Sequence, residues 1–209
     1  MTKPLILYQG AEAIIQVSKY LGMDVVQKRR VSKSYRISDI DRALIVSRTR
    51  EEAKLMIESR LHGVAVPLIY DVDLKGGVIT MEYLKGKRIK DILNIVDERE
   101  RKRLCEKIGR SIARFHNNDI IHGDITTSNM ILVNDQVYFI DFGLGSKESE
   151  VEARGVDLHV LMEAFGSTHS RYPRCFDYVL DGYKKEYGGD TDLIAKKIEE
   201  IVRRGRYRI

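Results

Sequence analysis

The sequence predicts an α+β fold: an antiparallel sheet with one long helix, followed by a mostly helical half. Three observations predict it. Short apolar runs at residues 5–8, 13–17, 24–28, 68–72 and 78–83 are separated by turn residues such as Lys75-Gly76-Gly77. Residues 39–62 contain no Gly or Pro and place Ile45, Ala53, Met56, Ile57 and Leu61 on an inward stripe at helical spacing. Residues 97–117 repeat apolar positions at Leu104, Ile108, Ile112 and Phe115 under a densely charged outer face, and helical stretches near 155–165, 176–187 and 192–202 follow.

Composition bounds the class. The chain has 209 residues, 43% hydrophobic and 32% charged, which allows a proper core without the bias of a disordered chain. Its formal charge of +5 is a mild bias toward anionic partners. Cys105 and Cys175 form no disulfide framework and no metal-ligand spacing, so a reducing interior is expected. No apolar run approaches the ~20 residues of a membrane span. The start lacks a signal peptide's apolar stretch. The expectation is a soluble cytoplasmic protein.

The chemistry concentrates in one run. Residues 130–133 and 137–140 are apolar, and Asn134-Asp135-Gln136 between them is turn chemistry, so the two form a hairpin. His122-Gly123-Asp124 and a polar loop ending in Asn129 feed one end of it; Asp141-Phe142-Gly143 leaves the other. The ends of a hairpin lie side by side, so Asp124, Asn129 and Asp141 are expected to converge. Two carboxylates and an amide oxygen suit a hard cation such as Mg²⁺ or Mn²⁺. The spacing matches the protein-kinase signature: a catalytic-loop Asp, an Asn five residues on, then Asp-Phe-Gly after a strand. On that pattern Asp124 accepts the hydroxyl proton, and Asn129 and Asp141 hold the metal bridging the nucleotide phosphates. The fold expected is a minimal bilobal protein-kinase-like one, with residues 1–84 as the N-lobe and 85–209 as a truncated C-lobe with a basic tail.

The other nucleotide contacts are read along the N-lobe. Gly10 is the single glycine where a kinase loop has three, so any grip on the phosphates differs from the usual one. Lys28 stands where a strand Lys pairs the α- and β-phosphates, though it also belongs to a basic run with Arg29, Arg30, Lys33 and Arg36. The helix Glu that pairs such a Lys is Glu51, Glu52 or Glu58; Glu52, beside inward Ala53, is the choice. Residues 81–84 occupy the linker position, and the backbone around Glu82 and Leu84 would read the adenine edge. After Gly143 comes a short polar segment in place of an activation loop and Ala-Pro-Glu anchor. Asp157 either caps the next helix or braces the catalytic-loop backbone, capping being the simpler expectation. Arg203, Arg204, Arg206 and Arg208 flank Tyr207; they are either a solvated terminus or a nucleic-acid contact.

These residues resemble the small atypical kinase/ATPase family of the KEOPS complex, PRPK-like and related to the RIO kinases. Residues 9–13 look like its reduced nucleotide loop, and Lys28-Arg29-Arg30 with Lys33-Ser34-Tyr35-Arg36 like its strand Lys and basic segment. Residues 48–53 are similar to its helix-Glu motif, favouring Glu52. Gly155-Val156-Asp157-Leu158, Ser167-Thr168-His169 and the terminal Arg-Gly-Arg complete the match, which runs nearly end to end. Ile37-Ser38 departs from the His-Pro often found there. In some archaea the family's kinase is fused to its partner transferase; the expectation here is a kinase that stands alone. The resemblance implies Mg-ATP-dependent Ser/Thr phosphotransfer and ATP hydrolysis in support of threonylcarbamoyl-adenosine formation on tRNA. It also implies a transferase subunit and other KEOPS subunits as partners.

Two other readings stand beside this one. Aminoglycoside and choline kinases share the His-x-Asp loop, but the 66 residues after Gly143 leave little for an acceptor pocket. A non-catalytic tRNA- or partner-binding adaptor fits the basic tail but not the intact Lys28, Asp124, Asn129 and Asp141 set.

Overall fold

The computed structural model describes residues 5–10 and 12–206. The chain divides into two compact units: Met1–Ile57 with Pro67–Lys85, and Glu58–Val66 with Gly86–Ile209.

The first unit holds a five-stranded antiparallel sheet. Its strands are β1 (Leu5–Gln9), β2 (Ala13–Tyr20), β3 (Met23–Arg30), β4 (Ile69–Asp73) and β5 (Val78–Glu82), in the order β1-β2-β3-β5-β4. The β2–β3 hairpin turns at Leu21-Gly22, both at positive φ (48° and 84°), and Tyr20 pairs Met23 across it. That is the two-residue turn whose twist suits antiparallel strands. Helix α1 (Ser38–Leu61) follows β3 after the basic segment. Its inner face is Thr49, Glu52, Ala53, Leu55, Met56 and Ser59, all buried. The expected stripe fails at Ile57 and Leu61, which are 51% and 77% exposed. At 100° per residue the buried set 52, 55, 56, 59 leaves positions 57 and 61 on the opposite side. Apolar identity alone placed them inward; the register set by buried polar residues places them outward. The basic segment is tied to the helix start by buried Asp41, which accepts from Ser32 Oγ (2.7 Å), Lys33 N (3.2 Å) and Arg36 Nη1 (3.2 Å).

The second unit begins with β6 (Lys87–Arg88), α2 (Ile89–Ile92) and α3 (Glu98–Asn117). Asp97 caps α3 by accepting from Glu100 N at 2.8 Å, and its apolar stripe Leu104, Ile108, Ile112 and Phe115 is fully buried. Then come β7 (Ile120–Ile121), a 3₁₀ turn (Thr127–Asn129), and the hairpin β8 (Met130–Val133) and β9 (Gln136–Phe139). β10 (Ser146–Lys147), α4 (Val151–Thr168), α5 (Cys175–Glu186) and α6 (Thr191–Arg206) complete it. β6 joins the hairpin in a three-stranded sheet, and β10 pairs with β7. Helices α3 and α5 cross where Gly109 and Gly182 face each other's backbones: a Cβ on either would strike a carbonyl, Val179 O or Glu106 O. Residues 58–66 belong to this unit through polar ties. Phe139 N donates to Ala65 O (2.9 Å), Arg114 Nη1 to Gly63 O (2.9 Å), and Lys147 pairs Glu58 (2.8 Å).

Two helix boundaries differ from expectation. α4 starts at Val151, before the expected start near Gly155, so Asp157 lies inside it and caps nothing. α6 runs on through Arg203 and Arg204 to Arg206, so part of the expected tail is helical. Arg204 pairs Glu152 (2.7 Å) across to α4. Arg208 lies outside the described residues, and the Arg206 side chain is not described. Among the described residues, no helix is long and apolar enough to cross a membrane.

Candidate active site

The sequence-selected residues fall into two groups, one in each unit. In the first, Lys28 on β3 donates from Nζ to Glu52 Oε1 on α1 at 2.5 Å, with side chains 6% and 1% exposed. Glu52, among the three candidates, is the partner. A buried pair of this kind holds only with close geometry and further hydrogen bonds. The second carboxylate oxygen supplies one: Arg30 Nη2 donates to Glu52 Oε2, also at 2.5 Å. Sequence reading missed Arg30. The signal was its parity, because residues 28 and 30 of a strand share a face.

Gly10 sits in the β1–β2 turn, where its N–H donates to Ala13 O at 2.9 Å. Glu82 ends β5. Its N–H donates to Leu68 O (2.8 Å), and its carboxylate accepts from Leu68 N–H (3.1 Å). The Glu82 N–H is therefore engaged within the protein. Leu84 is half-buried in irregular backbone just beyond.

In the second unit the hairpin does what its sequence requires. Asn134 and Asp135 form its two-residue turn at φ 44° and 68°, and Val133 pairs Gln136. Arg103 and Lys107 of α3 grip Asp135 at 2.5 and 2.6 Å. At the open end, Asn129 donates from Nδ2 to both Asp124 O (3.0 Å) and Asp124 Oδ2 (2.8 Å). That spends the amide nitrogen on Asp124 and leaves the Asn129 Oδ1 lone pairs as the donor available to a cation. Ile140 N–H donates to Asn129 O at 3.0 Å, which sets Asp141 at the next position along the ladder. Asp141 has φ +67°, a left-handed conformation uncommon outside Gly, Asn and Asp, and its Oδ1 accepts from Gly143 N at 3.2 Å.

His122 joins the two strands of this site. Its ring is buried against Phe142 (4.6 Å between centroids), Phe115 and Phe139 (6.2 Å each). Asp124 N–H donates to Nδ1 (3.4 Å), so Nε2 carries the proton and donates to Ile140 O (3.2 Å). Burial pushes its pKa below the usual 6.5, against the pull of Asp157, Asp141 and Asp124. The ring is held neutral with both nitrogens engaged, and so is not a metal ligand.

Asp157 braces the catalytic loop, and the expected helix cap is corrected. Its oxygens accept from His122 N–H and Gly123 N–H, each at 2.9 Å. His116 Nε2 lies 3.3 Å from the same carboxylate, and its Nδ1 is 2.9 Å from Tyr183 Oη. The position is the second turn of a helix that begins earlier than the sequence suggested, where no orphan amides need a cap. Gly123 has φ +80°, and a Cβ there would strike Leu144 O, so this turn accepts only glycine without movement. A second brace was not foreseen: Thr127 Oγ1 lies 3.0 Å from His169 Nε2, whose Nδ1 lies 2.7 Å from Asn94 Oδ1. Thr127 and His169 are both 1% exposed. Only the His169 half of it carried a sequence signal, the Ser-Thr-His motif.

The donors at the hairpin mouth fit a divalent ion of the magnesium type. Asn129 Oδ1 and the Asp141 carboxylate are hard oxygen donors, with sulfur absent and His122 committed elsewhere. Among the described residues no group of three or more His, Cys, Asp and Glu could cage a metal alone.

The post-Asp-Phe-Gly segment is short and tied. β10 pairs Ser146 with Ile121 and Lys147 with Ile120, and Lys147 Nζ donates to Asn118 O (2.8 Å).

Such a sheet, catalytic loop and abbreviated segment define a kinase-like chain. Among solved structures, a WaaP in complex with acyl carrier protein aligns with a TM-score of 0.69 at 13% identity, over 98% of this chain and 88% of that one. The Rio2 kinase from Chaetomium thermophilum aligns at 0.65 and 15% identity, over 100% and 73%. A family model described as RIO domain matches residues 12–168, and the chain belongs to that family. Its similarity within the family is to Bud32. A KEOPS complex subunit Bud32 from Pyrococcus abyssi is 43% identical, over 97% of this chain and 96% of that protein. A probable serine/threonine-protein kinase BUD32 homolog from Archaeoglobus fulgidus is 38% identical over 96% and 95%. A probable bifunctional tRNA threonylcarbamoyladenosine biosynthesis protein from Methanobrevibacter smithii is 45% identical over 97% of this chain, which spans 36% of that longer protein.

Proposed function

We propose that this chain is a Mg-ATP-dependent atypical Ser/Thr kinase and ATPase that supports threonylcarbamoyl-adenosine modification of tRNA as a KEOPS subunit. The observation that carries the reading is the fixing of Asn129 to Asp124 beside Asp141 at one hairpin mouth. The Lys28–Glu52 pair supports it from the first unit. Asp124 is assigned the role of general base, accepting the proton of the attacking hydroxyl or water. Its carboxylate is oriented for this by the Asn129 amide, while the loop backbone is held by Asp157. Asn129 and Asp141 would hold Mg²⁺ or Mn²⁺, which when bound neutralises charge on the phosphates. Lys28, positioned by Glu52, is assigned to the α- and β-phosphates. Gly10 is assigned to the loop over them, and the backbone around Glu82 and Leu84 to the adenine edge.

The names of the relatives support the tRNA and KEOPS part of the reading; the transferase subunit is assigned as principal partner and the cytoplasm as location. Arg203, Arg204 and Arg206 at the end of α6, together with Arg208, are assigned a tRNA contact. The short segment after Gly143 favours water, or an acceptor presented by a partner, over a peptide docked by the chain itself.

Asp124→Ala should lower ATP hydrolysis by roughly 10²–10⁴-fold, the usual contribution of a general base. Asp141→Ala should lower it at least as far. Phosphate release from the purified chain, with and without its transferase partner, measures both. An Asp141→Ala variant that hydrolyses ATP within a few-fold of the parent would falsify the metal assignment.

A further inference from the structure

A second basic site lies wholly within the first unit, behind the Lys28–Glu52 pair. A half-open pocket of about 20 Å³, room for a water-sized group, is lined by Arg30, Lys33, Arg36 and Arg48, with Glu12 as its one lining carboxylate. Four cations line it against one acid, with Arg30 and Arg36 also paired to Glu52 and Asp41; the enclosed space is far below the ~300–1,000 Å³ of drug-sized ligand sites, so a small anion would sit at its open mouth.

Three further features point to such a ligand. Arg30 is 6% exposed, and its Nε is buried with no hydrogen-bond partner among the described residues. Its Nη2 is shared between Glu52 Oε2 (2.5 Å) and the carbonyl of Arg48 (3.4 Å), the second a long bond. A buried guanidinium N–H without an acceptor is costly, and an anion oxygen would remove that cost. Arg48 is held by Glu12 at 3.2 Å with both side chains about half-exposed (40% and 53%), the kind of pair that contributes little and exchanges readily. Arg36 reaches the pocket from a turn closed by its own N–H donating to Lys33 O (3.1 Å), which brings Lys33 and Arg36 to one side.

We propose that this pocket binds a phosphate group, with Arg48 exchanging Glu12 for the phosphate oxygens and Arg30 offering its unpartnered Nε. Arg30 also holds Glu52 through Nη2, so one guanidinium would serve both the phosphate and the Lys28–Glu52 pair. The same chemistry has two sources: free inorganic phosphate, or a phosphate monoester on a protein serine.

Calorimetric titration of the full chain with inorganic phosphate and with O-phosphoserine, without nucleotide and at constant ionic strength, tests it. Arg48→Gln and Arg36→Gln should each weaken phosphate binding by about tenfold, the weight of one charge-assisted contact. Glu12→Gln, which removes the competing carboxylate, should tighten it several-fold. Asp141→Ala should leave it unchanged, which separates this pocket from the residues assigned to the nucleotide. Equal affinity for both probes assigns free phosphate; a phosphoserine preference of about tenfold or more assigns a protein-borne one, and either supports the site. Circular dichroism melts confirm that the variants fold. No saturable heat with the parent chain, equal affinity in Arg48→Gln and the parent, or loss of binding in Asp141→Ala would each overturn the proposal. None of these results bears on ATP hydrolysis.

Discussion

His122 shows how one side chain can settle the geometry around it. Its ring accepts from the Asp124 N–H and donates to the Ile140 carbonyl, so it fixes the backbone on both sides of the hairpin mouth. That role needs the neutral ring, and burial supplies it by depressing the pKa below 6.5. The consequence for stability has a definite sign. The unfolded chain takes up a proton near pH 6.5 while the folded chain resists, so stability is complete above about pH 6.5 and declines as pH falls toward the folded value. His169, whose pKa is also lowered by burial first and by Arg101 second, acts in the same direction. Each histidine contributes a slope of at most about 1.4 kcal/mol per pH unit. Urea unfolding between pH 7.5 and 5 should show midpoints falling below pH 6.5, and His122→Gln should flatten part of that fall. A parent chain equally stable at pH 7.5 and 5 would contradict the assignment.

At the scale of elements, the crossing of α3 and α5 carries the strictest packing in the second unit. Gly109 and Gly182 let the helices approach until a Cβ on either would meet backbone, which cannot swing aside as a side chain can. Overpacking of this kind costs about 1–3 kcal/mol. Gly182→Ala should therefore lower the thermal midpoint by several degrees, although alanine is the better helix former. A midpoint equal to or above the parent's would mean the helices separate freely, and the tight crossing would have no energetic weight. α3 also carries the basic pair, Arg103 and Lys107, that fixes the hairpin turn at Asp135. One helix thus supports the site through its apolar stripe and steadies it through its charged face.

For the molecule as a whole, a formal charge of +5 combines with a helix ending in arginines. Arg203 is exposed, while Arg204 is already engaged by Glu152 and Glu200. If the helix end contacts tRNA phosphates, Arg203→Gln should reduce the slope of log affinity against log salt by roughly 0.7–0.9, the release accompanying one phosphate contact. Arg204→Gln should reduce it less, because its charge is partly balanced within the protein. Filter binding of tRNA across a salt series measures both. Slopes identical to the parent's in the two variants would remove the helix end from the RNA surface.

The sequence by itself determined most of the elements and the grouping of Asp124 with Asn129 at one hairpin. The hairpin was legible because its two-residue turn needs positive φ, which Asn134 and Asp135 tolerate, and α3 because its apolar positions repeat at helical spacing. The meeting of Asn129 with Asp124 was legible because it is local, fixed by a few residues on either side of one turn. Tertiary structure decided what depends on distant segments. It gave Glu52 two cations instead of one, made Asp157 a brace, joined His169 to Thr127, and turned Ile57 and Leu61 to solvent. A buried polar group takes its partner from whatever the fold brings beside it, 22 to 42 residues away in the Arg30–Glu52, His122–Asp157 and Thr127–His169 pairs, and no local periodicity encodes that meeting.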